Sequence, residues 1–434
     1  MDDLRKLALE AGRVARKRAP GGFEVLYTRT DSASRDNAGG RGSAQQATLG
    51  VRIYDGRGQV GLAEGAWAGP ADTARLVDQA AAKVGPAPEG EDRPSPKLDI
   101  VERGLGIDDP RLPLLDDGAR AEVIDTNLES LAGLDGVRVG RFLYTEERVQ
   151  RAFASSRDYE LSECSTRFSL AGAVSAAVDP SLSCSDVLVS RNFAEVGSKP
   201  LGVDLGRRVL ALTRRAALPS APTPVVLEQR VVGALLPLLA VGFSLERMQA
   251  GESYVANRIG RRVGSGPLHV IDDAMRPGGL ASRRFDARGV GTLPVTLLKE
   301  GVVAGWYQGA AAAGKSDSRP SGHEGPGGAL WIGNLICRAG TRSRNMLFPD
   351  MARFVVIDEV LGVEPVDLKS GRLRARVRCS TWERNACVGS AGEQLLDTTA
   401  DQLFMGVLHL CNDQERHGVV DTPTWIVDGP WFAG

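Results

Sequence analysis

The sequence predicts an α+β protein of two domains, with mixed or antiparallel sheets and flanking helices. Segments with apolar residues at helical spacing and segments that alternate apolar with polar residues follow one another along the chain. They show no regular strand–helix–strand rhythm, which argues against a doubly wound parallel sheet. Glycine accounts for 52 of the 434 residues and aromatic residues for only 5%, which favours many turns and closely approaching backbones over a helical bundle.

The first predicted element is an amphipathic surface helix rather than a targeting peptide. Apolar residues between positions 4 and 15 fall at helical spacing, with basic residues on the other faces. A strand-like segment follows at 22–28. Alternating segments at 46–54 and 58–63 then flank the turn Asp55-Gly56-Arg57, which indicates a β-hairpin.

Helices and strands are predicted to alternate irregularly through the rest of the first half. A proline opens and a glycine ends a helix over 70–84. The proline-rich, charged segment at 86–97 predicts a loop. A second helix is predicted over 115–131, several antiparallel strands between 136 and 190, and a third helix over 203–217.

A proline-rich stretch at 218–224 predicts the domain boundary. We therefore assign residues 1–220 to an N-terminal α+β domain and residues 221–434 to a C-terminal domain. The second domain is predicted to begin with a strand at 224–227 and an apolar helix over 229–249.

The remaining C-terminal elements are mostly strands. Alternation predicts strands at 269–272, 293–298, 302–307, within 353–379, and at 424–427. A glycine-rich loop over 309–329 and a helix over 392–410 interrupt them. Because glycine allows backbone to approach a ligand closely, this loop is a candidate wall or lid of a binding cleft.

Charge and composition exclude several classes of protein. The formal net charge is −1, which gives no electrostatic footprint for nucleic acid. The longest apolar run, at 231–243, is too short to span a membrane. The six cysteines contain no CxxC pair, so the chain is expected to be a cytoplasmic protein with reduced thiols and no zinc knuckle.

Residues 309–316 read GAAAAGKS and match the phosphate-binding loop expression in every position. A true phosphate-binding loop leads into a helix, whose N-terminus points at the phosphates. Here Pro320 and the glycines beyond it cannot continue such a helix. Nucleotide binding through Lys315 therefore remains only an alternative hypothesis.

The histidines offer no convincing metal site. The His323-Glu324 pair is followed by glycines rather than by a helix with a second histidine. His409, Cys411 and His417 form at most a weak ligand cluster. No G-x-S-x-G nucleophile elbow is present. His323 could bind substrate or simply face solvent.

Several short motifs in both halves together resemble the TldD/PmbA family, in which PmbA is also called TldE. They share that family's glycine-containing strand ends and turns, and they read Leu49-Gly50-Val51-Arg52, Gly58-Gln59-Val60-Gly61, Gly251-Glu252-Ser253, Ile271-Asp272-Asp273, Arg284-Phe285-Asp286-Ala287-Arg288-Gly289-Val290, Ser321-Gly322-His323, Cys411-Asn412-Asp413 and Gly418-Val419-Val420-Asp421-Thr422-Pro423. The resemblance spans nearly the whole chain and implies the family's two-domain fold.

The resemblance also implies a branch of the family. The TldD-like branch carries a zinc-binding helix with two histidines flanking a glutamate, and the PmbA/TldE-like branch lacks it. Pro237 and Leu238 lie where the metal-binding His-Glu pair would be, which places this chain in the non-zinc branch. The sequence departs from the family pattern at two places, which weakens the assignment of the family's substrate contacts to individual residues of this chain. Arg288 replaces an acidic residue, and Asn334 stands alone in a segment that is usually richer in Asn and Thr.

The resemblance therefore implies a non-catalytic, substrate-binding or scaffold subunit of a heteromeric TldD/TldE-type zinc metallopeptidase that cleaves unstructured or leader peptides. A homologous TldD-like subunit would supply the zinc, and this chain would hold no cofactor and no catalytic residue. The candidate substrate-binding residues are Arg319, Ser321, Gly322 and His323. A metal-free peptide-binding or chaperone-like homodimer is the alternative from a different class.

Overall fold

The structure is a computed structural model that describes residues 2–87, 93–96, 100, 104–310, 313, 319–429 and 431–432. Part of the predicted loop at 86–97 lies outside the described residues. So do Lys315 and most of the match to the phosphate-binding loop. Within the described part of the chain, no helix combines the length and the apolar character needed to cross a membrane.

The first half of the chain forms a seven-stranded sheet in the order β4-β3-β2-β1-β5-β6-β7, with every neighbouring pair antiparallel. Its strands are β1 Gly22–Asp36, β2 Arg41–Tyr54, β3 Gln59–Ala66, β4 Gly85–Pro86, β5 Val137–Ser155, β6 Tyr159–Ala176 and β7 Ser183–Ser190. The predicted hairpin is confirmed as β2–β3, and the predicted antiparallel strands of 136–190 as β5 to β7.

One face of this sheet is covered by helices. They are α1 Asp2–Arg16, α2 Pro70–Ala82, α3 Asp117–Ala132, α4 Phe193–Ser198 and α5 Leu201–Ala211, with a short 3₁₀ turn at Leu112–Leu114. Alternate residues such as Val25 and Val51 pack against α1 and α2 in one apolar cluster. The opposite face, which carries Leu26 and Phe153, is turned toward the C-terminal half.

The second half forms two six-stranded sheets. The order of the first is β11-β10-β9-β12-β18-β17, and that of the second is β15-β14-β13-β8-β19-β16. Their strands are β8 Val225–Leu227, β9 Val270–Asp272, β10 Val295–Lys299, β11 Val302–Val303, β12 Leu335–Cys337, β13 Phe354–Val363, β14 Arg372–Glu383, β15 Ala386–Thr399, β16 Val407–Leu410, β17 Glu415–His417, β18 Val420–Thr422 and β19 Trp425–Val427. The pairs β12–β18 and β8–β13 are parallel, so the α+β prediction with mixed sheets is confirmed.

Helix α6 Gln229–Ala240 packs in the apolar core shared by both C-terminal sheets. The other described C-terminal helices are α7 Leu245–Gln249, α8 Arg344–Leu347 and α9 Ala400–Met405, with 3₁₀ turns at Val241–Phe243, Pro326–Gly328 and Phe348–Asp350. The domain boundary predicted at residue 220 falls between the last strand of the first sheet and β8. It remains a prediction.

Some predicted elements are wrong in extent or type. The helix expected over 392–410 is strand β15 up to Thr399, then α9, then β16. Residues 392–399 pair with β14, so hydrogen bonds to a distant strand override local helix propensity. The helix begins only where Thr399 and Gln402 form a reciprocal capping box.

Other elements are shorter than predicted. The helix expected over 229–249 stops at Ala240, and Ser244 caps the separate helix α7 through Arg247 N. The helix expected over 203–217 runs from Leu201 to Ala211. Of the strand expected at 302–307, only Val302–Val303 pairs regularly.

Candidate functional site

A cavity of about 490 Å³ opens beside the end of α6. Its walls come from α7, from the segment after β11 and from the segment around His323. The lining residues are Val241, Ser244, Glu246, Arg247, Glu252, Tyr307, Gln308, Gly309, His323, Glu324, Gly328, Ala329 and Leu330. We call this space the main cavity.

His323 is one of the buried titratable side chains that line this cavity. Its ring is 2% exposed, and its Nε2 lies 3.4 Å from Oδ1 of Asp272 on β9. The other oxygen of Asp272 accepts hydrogen bonds from the Tyr307 hydroxyl at 2.8 Å and from Gly333 N at 2.7 Å. Burial alone would raise the pKa of Asp272, but its contacts with His323 and Tyr307 outweigh burial and lower that pKa.

A serine also lies beside His323, so the three side chains are in the order of a Ser-His-Asp triad. The Ser321 Oγ lies 3.2 Å from His323 Nδ1, and the Ser321 carbonyl oxygen lies 2.9 Å from the same nitrogen. The hydroxyl, however, accepts a hydrogen bond from Gln308 N and contacts Gln308 O. Ser321 is 7% exposed and is not part of the cavity wall, so it is a structural contact and not an accessible nucleophile.

Residues 323–331 fold into a tight hairpin that forms one wall of the main cavity. Trp331 N donates to His323 O at 2.7 Å, and Gly325 N donates to Ala329 O at 2.6 Å. The tip is the 3₁₀ turn Pro326–Gly328, whose residues are exposed. Gly327 and Gly328 have φ values of 67° and 82°, a conformation that favours glycine. We call this element the cavity hairpin.

Arg283 fixes both ends of the cavity hairpin. Its guanidinium donates to the carbonyls of Gly322, at 3.5 Å, and of Trp331. It also lies over the Trp331 ring, 4.4 Å from the centroid, and Arg151 lies 4.7 Å from the same centroid. Complete burial lowers the pKa of Arg283 to about 10. One buried cation therefore holds the segment that positions His323.

Glu324 connects the hairpin to the N-terminal half. Its carboxylate accepts from Arg52 at 3.1 Å and from Arg288 at 3.4 Å. Arg288 also donates to Glu24 at 2.7 Å and to the Tyr54 hydroxyl at 3.0 Å. These five residues are at most 9% exposed, and we call their side chains the interdomain ion network. Arg288, which departs from the family pattern in the sequence, thus has acidic partners on β1 and in the hairpin.

The structure separates the four predicted substrate-binding residues. His323 lines the main cavity. Ser321 and Gly322 lie behind it, and a Cβ on Gly322 would lie 2.6 Å from Gly291 O. Arg319 is exposed at the edge of the described segment. Whether any of them contacts substrate stays a prediction.

Sequence reasoning did not select Asp272, Tyr307 or Glu246 as site residues. Asp272 was present in one of the family-like motifs, which was the available signal. Tyr307 and Glu246 are distant in sequence from His323, and only the fold brings them to the same cavity.

The described residues contain no group of three or more His, Cys, Asp or Glu side chains placed to hold a metal ion. His409 is exposed on β16, Cys411 is buried, and His417 is half-buried on β17. On α6, Leu238 is 36% exposed, and neither it nor Pro237 offers a metal ligand.

We predict that the purified chain carries far less than one zinc ion per molecule. The reason is that α6 presents apolar side chains where a zinc helix needs imidazoles. Elemental analysis of protein purified without chelator measures this. One zinc per chain that disappears on His409→Ala or Cys411→Ser would contradict the prediction.

Comparisons with known proteins agree with this architecture. Residues 220–434 match the PmbA/TldA metallopeptidase C-terminal domain. The chain is 24% identical over 214 residues to the metalloprotease PmbA of Escherichia coli O157:H7, covering 49% of this chain and 46% of that protein. It is 26% identical over 125 residues to a metalloprotease of Methanocaldococcus jannaschii, covering 28% of each. The matched parts thus span about half or less of these curated relatives.

Solved structures share the fold over almost the whole chain. A proposed modulator of DNA gyrase from Thermotoga maritima superposes with a TM-score of 0.85 at 19% identity, covering 98% of both chains. TldE from Thermococcus kodakarensis superposes with a TM-score of 0.83 at 15% identity, covering 97% of this chain and 98% of that one. Together with the matched domain, these comparisons show that the chain belongs to the TldD/PmbA family.

Proposed function

We propose that this chain is the non-catalytic, peptide-binding subunit of a heteromeric TldD/TldE-type zinc metallopeptidase that acts on unstructured or leader peptides. A homologous zinc-bearing subunit would be its partner. The observation that carries the proposal is a rigid, partly polar cavity next to a helix that has Pro237 and Leu238 instead of metal ligands. The cavity offers space for a substrate, and the described residues contain no cluster of ligands for a metal that would activate a water molecule.

The main cavity suits an extended peptide. The exposed carboxylate of Glu246 already accepts hydrogen bonds from Gly309 N at 3.0 Å and from the Ser244 hydroxyl at 2.7 Å. Its remaining lone pairs can accept a hydrogen bond from a peptide N–H. The cavity hairpin adds exposed backbone at its tip. Because Arg283 and the interdomain ion network already fix this wall, binding need not order it again, which lowers the entropic cost.

The test is capture of peptide by the isolated chain. Immobilised chain should retain unstructured decapeptides from a labelled random library without any partner or metal. His323→Ala should reduce the retained peptide about tenfold, because it removes the ring from the cavity wall and leaves the buried Asp272 carboxylate without the histidine beside it. His269→Ala, a half-buried histidine outside the cavity, is the matched control and should retain peptide normally.

Three results would contradict this proposal. If the wild-type chain retained no peptide, the proposed peptide-binding function would be wrong. Equal losses in His323→Ala and His269→Ala would show that the main cavity is not the site. A folded homodimer that retains peptide but never associates with a zinc-bearing homologue would instead favour the alternative, a metal-free peptide-binding module.

A further inference from the structure

A second, smaller cavity lies on the other side of the cavity hairpin. Its volume is about 140 Å³. Gly325, Pro326 and Gly327 of the hairpin form one side of it, while Gly328 and Ala329 line the main cavity. The hairpin is therefore a partition between two spaces, and its exposed tip is the point where a bound chain could pass from one to the other.

The floor of this second cavity is the face of the N-terminal sheet that turns away from the helices. Leu26 on β1 pairs with Gly50 on β2 and with Phe153 on β5, so all three point to this face. Leu62 on β3 stands at the rim and is 37% exposed. Leu26, Leu62 and Phe153 therefore supply an apolar side of this cavity. Its polar lining comes from Glu24 and Arg52 of the interdomain ion network and from Thr28, Thr48 and Glu64.

The hollow exists because position 50 has no side chain. A Cβ built on Gly50 would meet only Leu26 O at 3.9 Å and Glu64 Cγ at 4.0 Å, so packing does not require glycine there. Gly61 on the neighbouring strand is different, since its Cβ would lie 2.0 Å from Ala80 O of α2. Glycine at 50 leaves room for a group that the chain itself does not supply.

We propose that this second cavity is a specificity pocket for an aliphatic side chain (Val, Leu, Ile or Met) of the same peptide that occupies the main cavity. The inference rests on the proposed peptide-binding function. A cavity of about 150 Å³ has room for a benzene-sized group, so the volume of this cavity fits one such side chain. Phe153 and Leu26 supply the apolar contacts, and the exposed rim leaves a path for the peptide backbone.

The spacing of the two subsites follows from the thickness of the partition. Two paired strands lie about 4.8 Å apart, and a van der Waals contact of about 4 Å is needed on each side. An extended peptide advances about 3.3 Å per residue. Because the peptide passes around the tip and not through the partition, the aliphatic residue should lie at least about four residues from the residue next to His323.

The experiment compares the sequences of peptides captured from a random decapeptide library by the immobilised full chain. Wild-type chain should enrich aliphatic residues several-fold at one position. Gly50→Leu, whose side chain would fill the pocket, should still capture peptide but lose that enrichment. Gly362→Leu is the matched control, because its Cβ also points into open space, near only Arg376, and it should keep the enrichment.

A second variant covers the case in which Gly50→Leu does not fold. Leu62→Glu changes an exposed rim residue and should also reduce the aliphatic enrichment several-fold. Unchanged enrichment in the folded variants, or capture by wild type without aliphatic preference, would overturn the pocket and leave the proposed function standing. Failure of wild-type chain to capture any peptide would overturn both.

Discussion

Replacing Arg288 by methionine is expected to lower the free energy of unfolding by about 3–5 kcal/mol, the usual cost of removing one partner from a buried ion pair. Arg288 is 1% exposed and donates to Glu24 at 2.7 Å and to Glu324 at 3.4 Å. Methionine fills much of the same volume, so the loss is mainly electrostatic. Chemical denaturation at pH 7 measures it.

The loss should depend on pH in a definite direction. Burial alone would raise the pKa of Glu24, but Arg288 and Arg52 outweigh burial and hold that pKa below its ordinary value of 4.5. In the wild type, the charged Glu24 therefore stabilises the fold above about pH 4.5, and this contribution is lost as the pH falls further. Without Arg288, burial should raise the Glu24 pKa above 4.5, so that the variant loses stability as the pH rises. The difference between the two proteins should consequently shrink from pH 7 to pH 4.

Two further variants separate this effect from general damage. Adding Glu24→Gln to Arg288→Met removes the uncompensated charge and should restore part of the lost stability. Arg372→Met removes an exposed arginine that pairs with Asp397 at 2.7 Å and should change the denaturation midpoint little. If Arg372→Met is as damaging as Arg288→Met, or if the double variant recovers nothing, Arg288 does not act through Glu24.

The sequence predicts the N-terminal half well because local signals and final structure agree there. The hairpin turn Asp55-Gly56-Arg57 is flanked by alternating residues, and Gly56 and Gly58 adopt the left-handed conformation that the turn needs. In the C-terminal half, the longest wrongly predicted segment is 392–399, where a helix is expected. This segment is a strand because it pairs with β14. Neither propensity nor periodicity in that segment contains information about its partner.

The candidate site was predictable only in part for a similar reason. His323 could be selected because a histidine within a glycine-rich segment has a local signature. Its partners Asp272 and Tyr307 are 51 and 16 residues away, and both come from elements that look like ordinary buried strands. Gly50 was visible as a motif residue, but its function as an empty position depends on the facing hairpin, which sequence spacing does not reveal.

Peptide cleavage is expected to appear only when this chain is combined with a zinc-bearing homologous subunit. General acid–base catalysis by itself contributes about 10²–10⁴-fold, and a bound metal adds a water molecule activated near neutral pH. The described residues of this chain hold no cluster of metal ligands, and Ser321 is committed to Gln308. The isolated chain should therefore cleave an unstructured peptide at least about 10³-fold more slowly than the complex.

Within the complex, this chain should contribute through binding and positioning. His323→Ala should leave assembly intact, as judged by size-exclusion chromatography, yet slow cleavage of an unstructured peptide about tenfold to a hundredfold, because misplacing a bound substrate by about 1 Å can cost that much. A chelator should abolish cleavage by the complex while leaving peptide capture by this chain unchanged. Cleavage by this chain alone in the presence of chelator would assign catalysis to its own residues. If the partner alone were fully active, this chain would not contribute to cleavage, since a peptide bound in the main cavity would then have no effect on the rate.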